Sequence, residues 1–244
     1  VTRAIAAIFA HPDDEVFSIG GTIARYTRDG VRCDLYCATD GDAGRASGVV
    51  VRSREELAGR RRAELEEGAR ILGFASVRYG GFPDGALAAA DPDALVGEIV
   101  ECLRRWKPEI VITFGPEGAP NSHRDHRAIS RAATAAFFAA RIPTLYPGQL
   151  DAGLEPHSAA RLFYLAWPAP TPGAALPAMS LPITAEVDIR ELTGVKRKSF
   201  LAHATQRDHL ARFEELGLTA TEGYHLAAGR PQPTALIEDL FAGI

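Results

Sequence analysis

Residues 4–39, AIAAIFAHPDDEVFSIGGTIARYTRDGVRCDLYCAT, hold two apolar runs separated by a polar turn and a helical stretch, and their order decides the fold. Ala4 to Ala10 is short and almost purely apolar. Such a run suits a parallel strand covered on both faces, where neither face meets water and alternation is not needed. After HPDDEVFS, the stretch from Ile19 reads as a helix that stops at Gly30, and Val31 to Thr39 reads as a second strand. Strand, helix and strand, with a connection long enough for a right-handed crossover, begin a parallel sheet.

The alternation continues outward from that unit. Arg54 to Leu72 is a long charged helix ending at Gly73, where glycine can take the left-handed cap. ASVRY, from Ala75, is the third strand. Asp91-Pro92 starts the next helix, because Asp91 can accept orphan N–H groups and Pro92 fits the first turn. That helix runs to about Trp106, before Pro108, and Ile110 to Phe114 is a fourth strand. The loop GPEGAPNSHRDH and a helix through Ala140 follow. The pattern predicts an α/β, Rossmann-like three-layer sandwich with a mostly parallel central sheet, one domain over residues 1–244. Residues of about 141–182 are rich in Pro and Gly and read as loops or a flap near the functional site, with LFYLAW a further strand. Glu191 to Leu216 reads as helical with a break near Thr205.

Composition narrows the class. At 244 residues and 46% hydrophobic content the chain suits one substantial core. A formal charge of -4, with no long basic run, points away from nucleic acid. Three cysteines fit neither a disulfide scaffold nor a four-thiolate zinc site, and they read as small core residues. No run approaches the roughly 18 apolar residues of a membrane span, and the first ten residues lack a secretory pattern. The expectation is a cytoplasmic protein of open oligomeric state.

Ligands of open parallel sheets collect beyond the carboxyl ends of the strands. Two polar clusters lie at such ends: His11-Pro12-Asp13-Asp14-Glu15 after strand one, and His123-Arg124-Asp125-His126 after strand four. Each holds potential ligands three positions apart, which aims both side chains toward one point in a helical turn. Imidazoles and carboxylates suit zinc, and equally Mn²⁺, Fe²⁺ or Co²⁺. The plainer role of an Asp-Asp-Glu run is to cap the following helix, and the second cluster by itself is an ordinary polar helix start. Two such clusters, each preceded by an apolar strand, favour a metal site. No G-x-G-x-x-G follows the first strand and no Walker A motif is present, which removes the nearest nucleotide-binding readings.

These motifs resemble the LmbE-like or PIG-L deacetylases. AHPDDE, ending at Glu15, looks like that family's signature, followed by Gly20-Gly21-Thr22. Thr39 to Gly44 is similar to its T-x-G-E-x-G element with Asp42 for Glu, and Arg61-Arg62-Ala63-Glu64-Leu65 to its next helix. Phe82-Pro83-Asp84-Gly85 matches a substrate-side loop, His123 to His126 matches H-P-D-H with Arg124 for proline, and His203 with Gln206 matches H-x-S-Q with Thr205 for serine. The resemblance implies Zn²⁺ held by His11, Asp14 and His126, Asp13 as general base, His123 as general acid or oxyanion stabiliser, and Asp125 as the group orienting His123. It also implies substrate contacts from Arg62, with Arg61 the alternative, and Asp84, and a supporting or capping role for Glu15. The activity implied is removal of an N-acetyl or related N-acyl group from a small amino-sugar-containing substrate. A larger thiol or antibiotic conjugate and a non-catalytic sugar- or nucleotide-binding protein are the alternatives. Trp106, Phe137 and Phe138 read as core, Lys196-Arg197-Lys198 as a solvated helix face, and His157 as a weak pocket candidate.

Overall fold

Strand β1 (Ala4–Phe9) is buried at every residue, which is why its side chains carry no polar alternation. Strands β2 (Arg32–Thr39) and β4 (Ile110–Thr113) pair with it in parallel on its two sides. A computed structural model of the chain describes residues 3–167, 181–229 and 236–244. With β3 (Ser76–Phe82), β5 (Arg161–Leu165), β6 (Ala185–Asp188) and β7 (Thr221–Gly229), the strands form one sheet of order β3-β2-β1-β4-β5-β7-β6. The first five in that order are parallel, while β7 runs antiparallel to both β5 and β6. Helices α1 (Asp14–Arg28), α2 (Arg54–Leu72) and α6 (Thr193–Ala202) pack together as one layer, and α3 (Pro92–Trp106) and α4 (Arg124–Ala139) as another. The result is the expected three-layer α/β sandwich. Among the described residues no helix is long and apolar enough to cross a membrane.

Local chemistry explains the helix limits. Ser53 Oγ accepts the Glu56 N–H at 3.1 Å while Glu56 reaches back to the Arg52 N–H, a reciprocal cap for α2. Asp91 caps α3, and Pro92 occupies its first turn. Helix α1 starts at Asp14, five residues before the sequence pattern predicts, because HPDDEVFS winds directly into it. Strands β6 and β7 lie outside the expected element list. They are antiparallel additions to the sheet edge, and β7 buries only alternate positions at its start. The break near Thr205 is a 3₁₀ turn, Ala204–His209, between α6 and α7 (Leu210–Leu216).

The loop-rich stretch divides. Helix α4 begins at Arg124 beside the carboxyl ends of the strands and runs 16 residues away from them, so the chain after Ala140 emerges at the opposite edge. There His157 contacts the Pro108 carbonyl at 2.7 Å, a structural bond that leaves it no pocket role. Fully buried Arg104 of α3 donates to the carbonyls of Ala140, Ile142, Leu145 and Tyr146 and to the Gln149 side chain, at 2.9–3.2 Å. One guanidinium therefore fixes residues 140–149, including the short helix α5 (Pro147–Asp151). Strand β5 brings the chain back to the site edge at Trp167, and residues 168–180 of the expected flap lie outside the described residues. Replacing Arg104 by Met leaves one buried and four part-buried acceptors without their donor and is expected to lower unfolding free energy by about 2–3 kcal/mol. Urea denaturation measures this, and a loss below about 1 kcal/mol would mean that water replaces the guanidinium.

Candidate metal centre

β1 has its parallel neighbours on opposite sides, so the strand order reverses between β1 and β4 and opens a crevice at their carboxyl ends. The two polar clusters follow these two strands and meet there. Asp14, in the first turn of α1, places Oδ2 3.3 Å from His11 Nδ1 and Oδ1 3.2 Å from His126 Nε2. The His126 ring stacks on Phe114 with centroids 3.9 Å apart, and its Nδ1 has no hydrogen-bond partner among the described residues. His123 completes the group, its ring 4.9 Å from that of His11 and 5.0 Å from that of His126. Ligand atoms of His11, His123 and His126 lie within 4.8 Å of one another, as do those of His11, Asp84 and Asp125.

The first acidic cluster does not cap α1 in the ordinary sense. Asp13 stands at the cap position with φ 114° and makes no side-chain capping bond. Asp14 Oδ2 instead accepts the His11 N–H at 2.7 Å, and Glu15 Oε2 accepts the Asp13 N–H at 3.0 Å. The Asp13 carboxylate meets Arg61 Nη2 at 3.2 Å and keeps a partly exposed face. Arg61 also donates to the carbonyls of Pro12 at 2.5 Å and Gly41 at 2.8 Å. A Cβ on Gly41 would lie 2.2 Å from Arg61 Nη1, and the residue has φ 66°, so glycine is required there on both counts.

The remaining expected residues fall unequally. Asp84 Oδ1 and Asp125 Oδ2 lie 3.1 and 3.4 Å from His11 Nε2, the nitrogen turned away from Asp14. Asp125 further accepts the N–H groups of Gly85 at 2.7 Å and Leu87 at 3.2 Å, which ties the loop after β3 to α4. Its carboxylate is thus bonded to His11, and toward His123 it offers a backbone N–H, which donates to Nδ1 at 3.2 Å. Arg62 points away, paired with Asp40 at 2.6 Å and lying over the Tyr79 ring. Arg61, its neighbour, is the arginine in the site. The sequence carried a sign of this, since Leu57, Arg61, Leu65 and Ala69 form the buried stripe of α2 at four-residue spacing. His203 and Glu15, both fully buried, face each other with Nε2 and Oε1 3.3 Å apart.

Charge follows this arrangement. Burial opposes ionisation of Asp14, yet His126 and His11 hold its carboxyl well below the usual carboxylate range. Burial likewise acts against the His11 imidazolium, but the Asp14 charge and the ring's hydrogen bonds to Asp125, Asp14 and Asp84 raise its pKa overall. Asp84 is held at about 2: burial raises it, and the hydrogen bond and charge of His11 outweigh that. Asp13 is raised by burial more than the Arg61 charge lowers it. His123 is lowered, by burial and then by the charges of His11 and His126. His203 is raised, because Glu15 more than offsets burial.

Fold and cluster together define an α/β protein with a candidate metal centre at the carboxyl edge of its sheet. Residues 6–137 match the PIG-L family of GlcNAc-PI de-N-acetylases, and the chain belongs to that family. It is 31% identical to the 1D-myo-inositol 2-acetamido-2-deoxy-alpha-D-glucopyranoside deacetylase of Rhodococcus jostii (strain RHA1), over 99% of this chain and 98% of the relative. Among solved structures it is similar to the N,N'-diacetylchitobiose deacetylase of Pyrococcus horikoshii, with 26% identity, a TM-score of 0.76, and coverage of 95% and 87% of the two chains. The 4-carboxy-2-hydroxymuconate hydratase of Pseudomonas putida KT2440 shares the fold at a TM-score of 0.78 and 19% identity, covering 95% of this chain and 98% of its own.

Proposed function

We propose that this chain is a zinc-dependent hydrolase that removes an N-acetyl or related N-acyl group from a small amino-sugar-containing substrate. The observation carrying the proposal is Asp14, a buried carboxylate in contact with one imidazole from each of two strand ends, at 3.3 and 3.2 Å. Two ligands of a tetrahedral zinc with bonds of about 2.05 Å stand about 3.4 Å apart, close to each of these spacings, which use the two oxygens of the one carboxylate. The donor set fits it too. His11 turns Nδ1 to Asp14 and Nε2 to Asp84 and Asp125, the way proteins orient a ligating imidazole through its second nitrogen. His11, Asp14 and His126 would hold the ion.

Zinc bound there supplies Lewis acidity, lowering the pKa of water and polarising an amide carbonyl. The chain supplies the proton transfers. Asp13 and His123 keep partly exposed faces where the three ligands are buried, so both can reach a substrate. Asp13 takes a proton from the attacking water, and its raised pKa suits a group that must hold that proton. His123, whose Nδ1 accepts the Asp125 N–H, presents its Nε2–H as a donor to the oxygen that becomes negative, and Asp13 passes the water's proton to the nitrogen as the C–N bond breaks, leaving a free amine and acetate. Arg61 keeps the Asp13 carboxylate turned into the site. The amino-sugar class is supported by the named activities of the relatives, which act on acetylated glucosaminyl compounds. Arg62 and Asp84 keep their proposed places on the substrate side only as far as a ligand can part them from Asp40 and His11.

An amine-release assay on a panel of N-acetylated amino sugars, glycosides and larger conjugates tests the reading. The expected result is release from a small glucosaminyl compound, abolished by a chelator and restored by added zinc, with Mn²⁺, Fe²⁺ and Co²⁺ as parallel arms. Absence of amine from every substrate with metal-loaded protein, or indifference to chelation, would overturn it.

A further inference from the structure

Asp13 is held in a backbone region that residues with a Cβ rarely occupy, at φ 114° and ψ -22°. Such a conformation persists only where the surroundings over-determine it. Its peptide is gripped from both ends: the Pro12 carbonyl accepts from Arg61, and the Asp13 N–H donates to Glu15 Oε2 at 3.0 Å. Glu15 has no exposed surface, and its other oxygen lies 3.3 Å from Nε2 of His203, which is equally buried.

His203 is itself fixed by three elements. It terminates α6, and its ring lies against α2 at Gly68, where a Cβ would come within 2.8 Å of Nε2. Ser199, one turn earlier, donates to the Gly68 carbonyl at 3.0 Å. Beyond it, Thr205 donates to Glu64 of α2 through both its N–H, at 2.9 Å, and its hydroxyl, at 2.6 Å. The ring cannot recede from Glu15 without moving this joint.

We infer that Glu15 and His203 are positioning residues that brace the Pro12–Asp13 peptide and so aim the Asp13 carboxylate. The inference rests on the reading of Asp13 as general base. Neither residue touches the substrate in this role; both act through Asp13. The brace explains why an imidazole nearly two hundred residues downstream is buried below the β1 turn: α6 packs on α1 and α2 and delivers it there.

The test uses the metal-loaded full chain and the variants Glu15→Ala, His203→Leu and Glu15→Gln, each also made in an Asp13→Ala background. Displacing a reacting group by about 1 Å costs on the order of 10²-fold, so kcat is expected to fall about 10- to 100-fold in Glu15→Ala and His203→Leu, with KM changed by less than about threefold. Glu15→Gln keeps an oxygen for the Asp13 N–H and recovers most of the rate. In the Asp13→Ala background the same changes cost little more, since the group they aim is gone. Amide hydrogen exchange at Asp13, read by NMR, is expected to accelerate in both disruptive variants while bound metal stays at wild-type stoichiometry. Equal losses in both backgrounds, or unchanged Asp13 exchange, would overturn the brace. If the wild type releases no amine from any substrate, the deacetylase reading fails, and the exchange measurement decides the brace without it. Glu15→Ala and His203→Leu attack one contact from opposite sides, so either one, if folded, is sufficient.

Discussion

Asp13→Ala is expected to lower kcat by about 10²- to 10⁴-fold, the usual contribution of a positioned general base, with the metal still bound. The two halves of that outcome have separate causes. Among the described residues the Asp13 carboxylate pairs with Arg61, while its backbone bonds Glu15 and Phe17, and none of these bonds involves His11 or His126. The contacts with His11 and His126 belong to Asp14, the next residue. Adjacent carboxylates face different ways because Asp13 is in the left-handed region while Asp14 has entered α1. Removing the first should therefore cost rate and spare the ion. Steady-state kinetics beside metal analysis measures both, and wild-type turnover in the variant would remove Asp13 from the mechanism.

The second large effect concerns the ion. Asp14→Ala and His126→Ala are expected to lose metal and activity together, because each removes one of three ligands: the first leaves two buried imidazoles with no carboxylate between them, the second leaves one imidazole beside the carboxylate. Asp125→Asn should act more mildly. Asp125 orients His11 through Nε2 and holds Gly85 and Leu87, and loss of such an outer partner typically weakens metal binding 10- to 100-fold. Competition against a chelator of known affinity gives the order. Asp14→Ala retaining stoichiometric zinc would place the ion elsewhere, and the trio of His11, Asp84 and Asp125 would then be the group to test.

Periodicity carried the fold far but not to its edges. β1, β2 and β4 were legible because strands covered on both faces need no polar positions, so an uninterrupted apolar run identifies them. β6 and β7 gave no such run. A four-residue strand and a half-exposed one mix polar and apolar residues, and what holds them is pairing with partners distant in sequence. Residues 140–149 show the same limit. Their Pro and Gly content reads as loop, yet Arg104 holds them at the sheet edge away from the site, and an arginine within a helix does not announce five acceptors in the chain that follows α4.

From its amino acids alone the chain specified two clusters of potential ligands, each following an apolar strand, because residue type and strand-end position are local properties. The direction each side chain takes is not local. That Asp125 turns to His11, that Arg61 enters the site while Arg62 leaves it, and that His203 faces Glu15 follow from which elements pack together. Hydrogen-bond partners drawn from helices over a hundred residues apart exist only once the layers have assembled.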